Sequence, residues 1–207
     1  MKFKLVEDIW TRDGEYAPLR DSKYQRLQRK PINTLSLDEI KYLFAVNRAH
    51  YGMYTKQYNS IDELLQDMID EDRENSFDLD MFEDCYNYLH SLSFPLMVYR
   101  ALNRVEEESG KVFGRSWTTD FNIYKDKTST FNKLDNLVAA EIDSNVIDNS
   151  ATIVNYFYYT AKRKFIDKDK IYGEYEISLK NNYKQSDLHN LRYVDKDKNF
   201  YIKRIYD

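Results

Sequence analysis

The hydrophobic pattern of this chain changes period once, at Pro95, and that change constrains the fold more than any other feature. Before Pro95, apolar residues recur every three or four positions. After it, they come in short runs bounded by polar turns. Two helix starts are explicit in the first part. In Ser36-Leu-Asp-Glu39 the Ser oxygen can accept from the backbone at Glu39 while the Glu side chain reaches back, and Leu37, Ile40, Leu43 and Phe44 follow at helical spacing. Ser60-Ile-Asp-Glu63 repeats the device ahead of Leu64, Leu65, Met68 and Ile69. A third helix is expected from near Asp80, with Met81, Cys85, Tyr88 and Leu89 on one face. Stripes of this kind exist to pack, so they read as core. Arg20, Arg26, Arg29 and Lys30 form a basic run that Pro31 interrupts, read as a solvated helix face. Phe3, Leu5, Ile9 and Trp10 suit a short strand or a docking segment.

Beyond Pro95, strands are expected over 94–102, 112–118, 137–142, 173–179 and 199–206, with Tyr193 and Val194 near the last. An aromatic helix is expected over 151–165. A helical region, 1–93, followed by a β-rich region, 94–207, predicts an α+β fold.

Composition excludes several classes. The net charge is −4 and the cations are spread along the chain, so no basic arm exists. Nonspecific nucleic-acid affinity comes mostly from phosphate neutralisation, so a nucleic-acid partner is possible through a local face but not predicted. The lone cysteine, Cys85, cannot form an internal disulfide and reads as a packed small side chain in a reducing compartment. The N-terminal residues lack an apolar signal region and no run reaches membrane-span length, so a cytoplasmic location and no membrane partner are expected. His50, His90 and His189 are scattered, and the Asp-Lys-Asp-Lys stretches near 167 and 195 neutralise themselves, so no metal site is expected. Neither a P-loop nor a dinucleotide-binding glycine motif is present.

Three short strings carry chemical potential. Arg100 ends the apolar run Met97-Val-Tyr-Arg100. A cation among apolar neighbours needs an anion, either an internal carboxylate such as Glu141 or a ligand phosphate, and the planar guanidinium suits both. Ser116 and Thr118 sit two apart on an expected strand, which puts both hydroxyls on one face with Trp117 opposite. Glu174 and Glu176 have the same spacing, so as strand residues they point the same way, roughly 6–7 Å apart. Such a pair is either a solvated strand face or a working pair of carboxylates.

In this order, Val98-Tyr99-Arg100, Ser116-Trp117-Thr118 and Glu174-Tyr175-Glu176 resemble the Arg–Ser–Glu class of mono-ADP-ribosyltransferases, over roughly residues 95–207. The resemblance implies a split-sheet ADP-ribosyltransferase-like core that takes NAD as substrate, releases nicotinamide and modifies a macromolecular acceptor, expected to be a protein. It assigns Arg100 to the NAD phosphate and ribose, and Ser116 to the nicotinamide pocket and to holding the catalytic Glu. Thr118 stabilises the strand beside it, and Tyr99 joins the NAD-binding set. Glu176 becomes the catalytic carboxylate, on the nicotinamide-ribose hydroxyl, and Glu174 the group that orients or deprotonates the acceptor. The polar stretch after Thr118 leaves Phe121 or Tyr124 as the aromatic that stacks on nicotinamide. A rival class is a non-enzymatic protein-binding module or inhibitor, of the kind a phage or mobile element carries, with the 19 tyrosines as its recognition surface.

Overall fold

The computed structural model describes residues 22–52, 60–71, 80–102, 114–125, 136–161 and 174–194. Four helices come first: α1 (Ser22–Arg29), α2 (Leu37–Gly52), α3 (Ile61–Glu71) and α4 (Asp80–Ser91). The first capping box closes in both directions, with Ser36 N donating to Glu39 Oε2 at 2.9 Å and Glu39 N to Ser36 Oγ at 3.3 Å. At the second, Glu63 N donates to Ser60 Oγ at 3.1 Å. Of the basic run before Pro31, Arg26 and Arg29 fall on a helix with a wet face, Lys30 follows its end, and Arg20 lies outside the described residues. Arg26 and Arg29 of α1 are exposed, while Tyr24 and Leu27, three apart, are buried.

The strands are β1 (Leu96–Ala101), β2 (Ser116–Thr118), β3 (Leu137–Ile142), β4 (Glu176–Ser178) and β5 (His189–Val194). They make one sheet in the order β4-β2-β1-β3-β5, and every pair is antiparallel. Between β3 and β4 lies α5 (Asn149–Asn155), whose N-cap Asp148 accepts from Ala151 N. It passes without a break into a π-helical segment, Tyr156–Ala161. The fold is α+β, as the change of period predicts.

Alternation along β1 divides the interior. Leu96 and Val98 belong to a large hydrophobic cluster that takes in the helices, whereas Met97, Tyr99 and Ala101 pack on a smaller cluster of Ile123, Tyr124, Leu137, Ala139 and Val194. The large cluster runs from Tyr24 to Leu191 and includes buried residues from both sides of Pro95. Its centre is an aromatic triangle. Phe44 of α2, Phe82 of α4 and Phe157 of the π segment have ring centroids 4.5–5.3 Å apart. The break near residue 93 is therefore a change of secondary structure, and the helices and the sheet share one core. Cys85 is fully buried, as expected of a packing residue.

Several expected elements are shorter or differently made. The strand expected over 112–118 is three residues long where described, and the aromatic helix expected over 151–165 changes hydrogen-bond pattern after Asn155. The strand expected from residue 173 begins only at Glu176, because Tyr175 adopts φ 44°. The strand expected over 199–206, the Asp-Lys-Asp-Lys stretches and Phe3, Leu5, Ile9 and Trp10 lie outside the described residues.

Candidate functional site

The strand order sets what can meet. β2 lies between β1, which ends near Arg100, and β4, which begins at Glu176. The ladder pairs Thr118 with Glu176 and Ser116 with Ser178, and Tyr99 of β1 with Thr118. Directly paired residues share a face and stand roughly 4.5–5.5 Å apart. Register alone thus brings the S-x-T hydroxyls beside Glu176.

A cleft of about 180 Å³ opens there. Arg100, Ser116, Thr118, Glu174 and Glu176 line it, with Ala101, Trp117, Ile123 and Tyr124. Of the side chains given a role by the resemblance, Arg100, Ser116, Thr118, Glu174 and Glu176 therefore meet in one place, together with Tyr124, one of the two stacking candidates. Tyr99 and Phe121 do not line it. Their rings pack on each other, with centroids 5.0 Å apart, against the smaller cluster. The aromatic wall of the cleft is Tyr124, held by a 3₁₀ turn, Phe121–Tyr124, that Asp120 caps at Asn122 N. The polar residues after Thr118 are what make this turn. They cap it and leave Ile123 and Tyr124 buried.

Arg100 is half-buried at the end of β1. Its Nη1 donates to the Ser116 carbonyl, and its guanidinium lies over Gly114. Glu141 is a less natural partner. It stands opposite Met97 and accepts from Asn190 Nδ2 at 2.8 Å, whereas Arg100 stands opposite Val138. The guanidinium bears on the electrostatics of both Tyr124 and Glu176, where it opposes the effect of burial.

Glu176 is held by side chains from three neighbouring positions, Ser116, Ser178 and Asn155. Burial pushes its pKa above the ordinary carboxylate range. Hydrogen bonds from Ser116, Ser178 and Asn155, together with the Arg100 charge, pull the other way without cancelling it. Asn155 Nδ2 donates to Oε1 at 2.7 Å, and Ser178 Oγ lies 3.5 Å from the same oxygen.

The expectation that Glu174 and Glu176 share a strand face is corrected by Tyr175. Its left-handed φ of 44° breaks the alternation, so strand geometry does not govern Glu174. Both carboxylates still line the cleft, because the surroundings fix the turn. Thr118 Oγ1 donates to the Glu174 carbonyl, and Thr119 N donates to the Tyr175 carbonyl at 3.2 Å. Tyr175 N donates to Thr160 Oγ1 at 2.8 Å, and its ring lies 5.1 Å from Tyr88. A bulky residue held left-handed costs about 1–3 kcal/mol, and such strain collects at functional sites.

Among the contributors that sequence reasoning missed are Ser178, Asn155, Gly114 under the guanidinium, and Tyr88, whose hydroxyl lies 3.0 Å from Thr119 Oγ1. Gly114 carries a readable signal, since a Gly beside a candidate anion-binding Arg points to close approach. Asn155 and Tyr88 carry none, because both act across long stretches of chain.

Among the described residues no group of His, Cys, Asp or Glu is arranged to hold a metal ion, and no helix is long and apolar enough to cross a membrane. No protein-family model, curated protein or solved structure matches the chain.

Proposed function

We propose that this protein is a mono-ADP-ribosyltransferase that moves ADP-ribose from NAD to a protein acceptor and releases nicotinamide. One observation carries the reading: Arg100, Ser116, Thr118, Glu174 and Glu176, from three separate stretches of chain, line a single cleft. The register supports it further, since the strand with the two hydroxyls runs between the strand bearing Arg100 and the strand bearing Glu176. The finer assignment of the sheet to an ADP-ribosyltransferase-like core belongs to the same proposal.

The chemistry follows from charge. The bond between the ribose C1′ and the nicotinamide nitrogen breaks, and its electron pair neutralises the pyridinium as nicotinamide leaves. The sugar passes through an oxocarbenium-like state, as in glycoside cleavage. Glu176, fixed by Ser116 and Asn155, puts a carboxylate beside the developing positive charge and stabilises the transition state more than the ground state. Arg100 binds the diphosphate, for which its charge and forked donors are suited. The acceptor nucleophile forms the new bond to C1′ and gives its proton to Glu174.

Among the described residues, the rival reading, a tyrosine-rich recognition surface, draws no comparable support. Tyr159 is the exposed large hydrophobic among the described residues, while Tyr24, Tyr42, Tyr124 and Tyr156 are buried. The deciding experiment incubates the protein with labelled NAD and a bacterial lysate, and follows both nicotinamide release and label on protein. Glu176→Ala is expected to lower turnover by about 10²–10³, the usual effect of losing one transition-state partner. Absence of NAD binding in the wild type would sink the proposal, and transfer that survives Glu176→Ala would remove Glu176 from its role.

A further inference from the structure

The helical stretch that follows β3 docks on the edge of β4 in an unusual way. Within α5, Thr152 Oγ1 accepts from Ser178 N at 3.0 Å, and three residues on, Asn155 Nδ2 donates to Ser178 Oγ at 2.9 Å and to Glu176 Oε1 at 2.7 Å. The next contacts are five residues beyond Asn155 and just before it. Thr160 Oγ1 accepts from Tyr175 N at 2.8 Å, and the Tyr159 carbonyl accepts from Glu174 N at 3.1 Å. In an α-helix a residue five positions on is turned away by roughly 140°. A π-helical turn bonds i to i+5 and brings it back towards the same side. The switch to π-helix after Asn155 therefore lets one edge of the helix follow β4 back through Tyr175 and Glu174.

We propose that Asn155, carried at the junction between α5 and the π-helical segment, is a positioning residue that fixes both the orientation and the charge of the Glu176 carboxylate. The role rests on the transferase reading only for its consequence in catalysis, since the contact itself is independent of any substrate. The amide favours the ionised carboxylate by giving it a donor, in a place where burial favours the neutral acid. The other groups bearing on Glu176 come from each neighbouring element: Arg100 of β1, Ser116 of β2, Ser178 of β4 itself and Tyr124 of the 3₁₀ turn, with Glu174 also lining the cleft. Arg100 and the hydroxyls remain in the chain when Asn155 is changed, and the change then reads the amide together with the Ser178 hydroxyl it contacts.

The test reads Glu176 directly. Protein labelled with ¹³C at the Glu side-chain carboxyl is titrated by NMR, with Glu176→Gln assigning the resonance. In Asn155→Leu the Glu176 midpoint is expected to rise by about one pH unit, the scale of losing one good donor to a carboxylate. The acid limb of the pH profile for NAD cleavage should move up with it. Asn155→Asp keeps the shape of the side chain, removes the donor and adds a like charge, so its midpoint should rise further, and it serves if the Leu variant does not fold. A midpoint unmoved in folded variants overturns the role of Asn155. Wild-type protein that does not cleave NAD, with a midpoint that still depends on Asn155, sinks the transferase reading and leaves this assignment standing.

Discussion

A Cβ placed on Gly114 would lie 2.1 Å from Nη2 of Arg100 and 2.6 Å from its Cζ, so the absence of a side chain at 114 is what lets the guanidinium rest where it does. The colliding group is the far end of a flexible side chain, so Gly114→Ala should displace the guanidinium without unfolding the protein. If Arg100 binds the diphosphate of NAD, Gly114→Ala should weaken NAD binding by about tenfold or more, given that hydrogen bonds to charged groups contribute about 1.5–3 kcal/mol. Arg100→Ala should do at least as much, and adding Gly114→Ala to it should change nothing further, because both act on one contact. Calorimetric titration of NAD into the four proteins checks this. Additive losses would show that Gly114 acts through something other than Arg100.

Glu176 predicts a conflict between stability and activity. Its pKa is raised in the folded protein, mainly by burial, so the native state holds the proton more tightly than the unfolded chain does. Stability linked to this group is therefore greatest below its unfolded pKa and falls as pH rises through the folded pKa. Once ionised, the buried group is a net cost to stability. Glu176→Gln keeps a side-chain oxygen for the Asn155 amide and removes the charge, so it should raise the melting temperature at pH 7, lower turnover by about 10²–10³, and lose its stabilising effect near pH 4. Melting curves of both proteins across that range decide it. An equal or lower melting temperature for the variant at pH 7 would show that ionisation there costs nothing.

Much of the fold was legible because its signals are local. The Ser36 and Ser60 caps, the Leu and Phe stripes and the apolar runs of β1 and β3 each depend on residues within a few positions of one another. The reciprocal contact between Ser36 and Glu39 needs only a separation of three positions. The site was legible in its side chains but not in its geometry. Arg100, Ser116 and Glu176 stand out by type and order, whereas the left-handed turn at Tyr175 is imposed from outside, by Thr119, Thr160 and the Tyr88 ring. A tyrosine has no intrinsic preference for that backbone, so nothing in Glu-Tyr-Glu announces it. Tyr99 and Phe121 lie off the cleft lining for a related reason. Alternation sets Tyr99 and Met97 on the face opposite Val98, but that Phe121 meets Tyr99 there depends on the 3₁₀ turn, which local spacing does not place.

Tyr88 links the helices to the site, and removing its hydroxyl should expose that link. It lies 3.0 Å from Thr119 Oγ1 and 3.5 Å from the Tyr175 carbonyl, and its ring stacks on Tyr156 at 5.1 Å. The stack survives in Tyr88→Phe, so the loss in stability should be about 1 kcal/mol, the ordinary size of one buried hydrogen bond. The turn at Tyr175 loses one of its constraints. Turnover should fall by roughly three- to tenfold with little change in KM, since a looser Glu176 binds substrate much as before but meets the transition state less well. Steady-state kinetics beside a urea titration separate the two effects. A rise in KM alone would show that Tyr88 supports binding and not the position of Glu176.

Phe157 tests whether helices and sheet form one cooperative core. Its ring lies 4.5 Å from Phe44 and 4.6 Å from Phe82, and it is fully buried. Phe157→Ala should cost about 3–5 kcal/mol through lost burial and the cavity left behind. For a chain of this size that lowers the melting temperature by roughly 6–20 °C. The informative readout is coincidence. Far-UV circular dichroism reports mainly the helices, and the fluorescence of Trp117, buried in β2, reports the sheet once Trp10 is replaced by Phe. Because one hydrophobic cluster takes in residues from Tyr24 to Leu191, both signals should move together to the lower temperature. A fluorescence transition that stays in place while the helical signal shifts would mean that the sheet, and the cleft it carries, folds without the aromatic triangle.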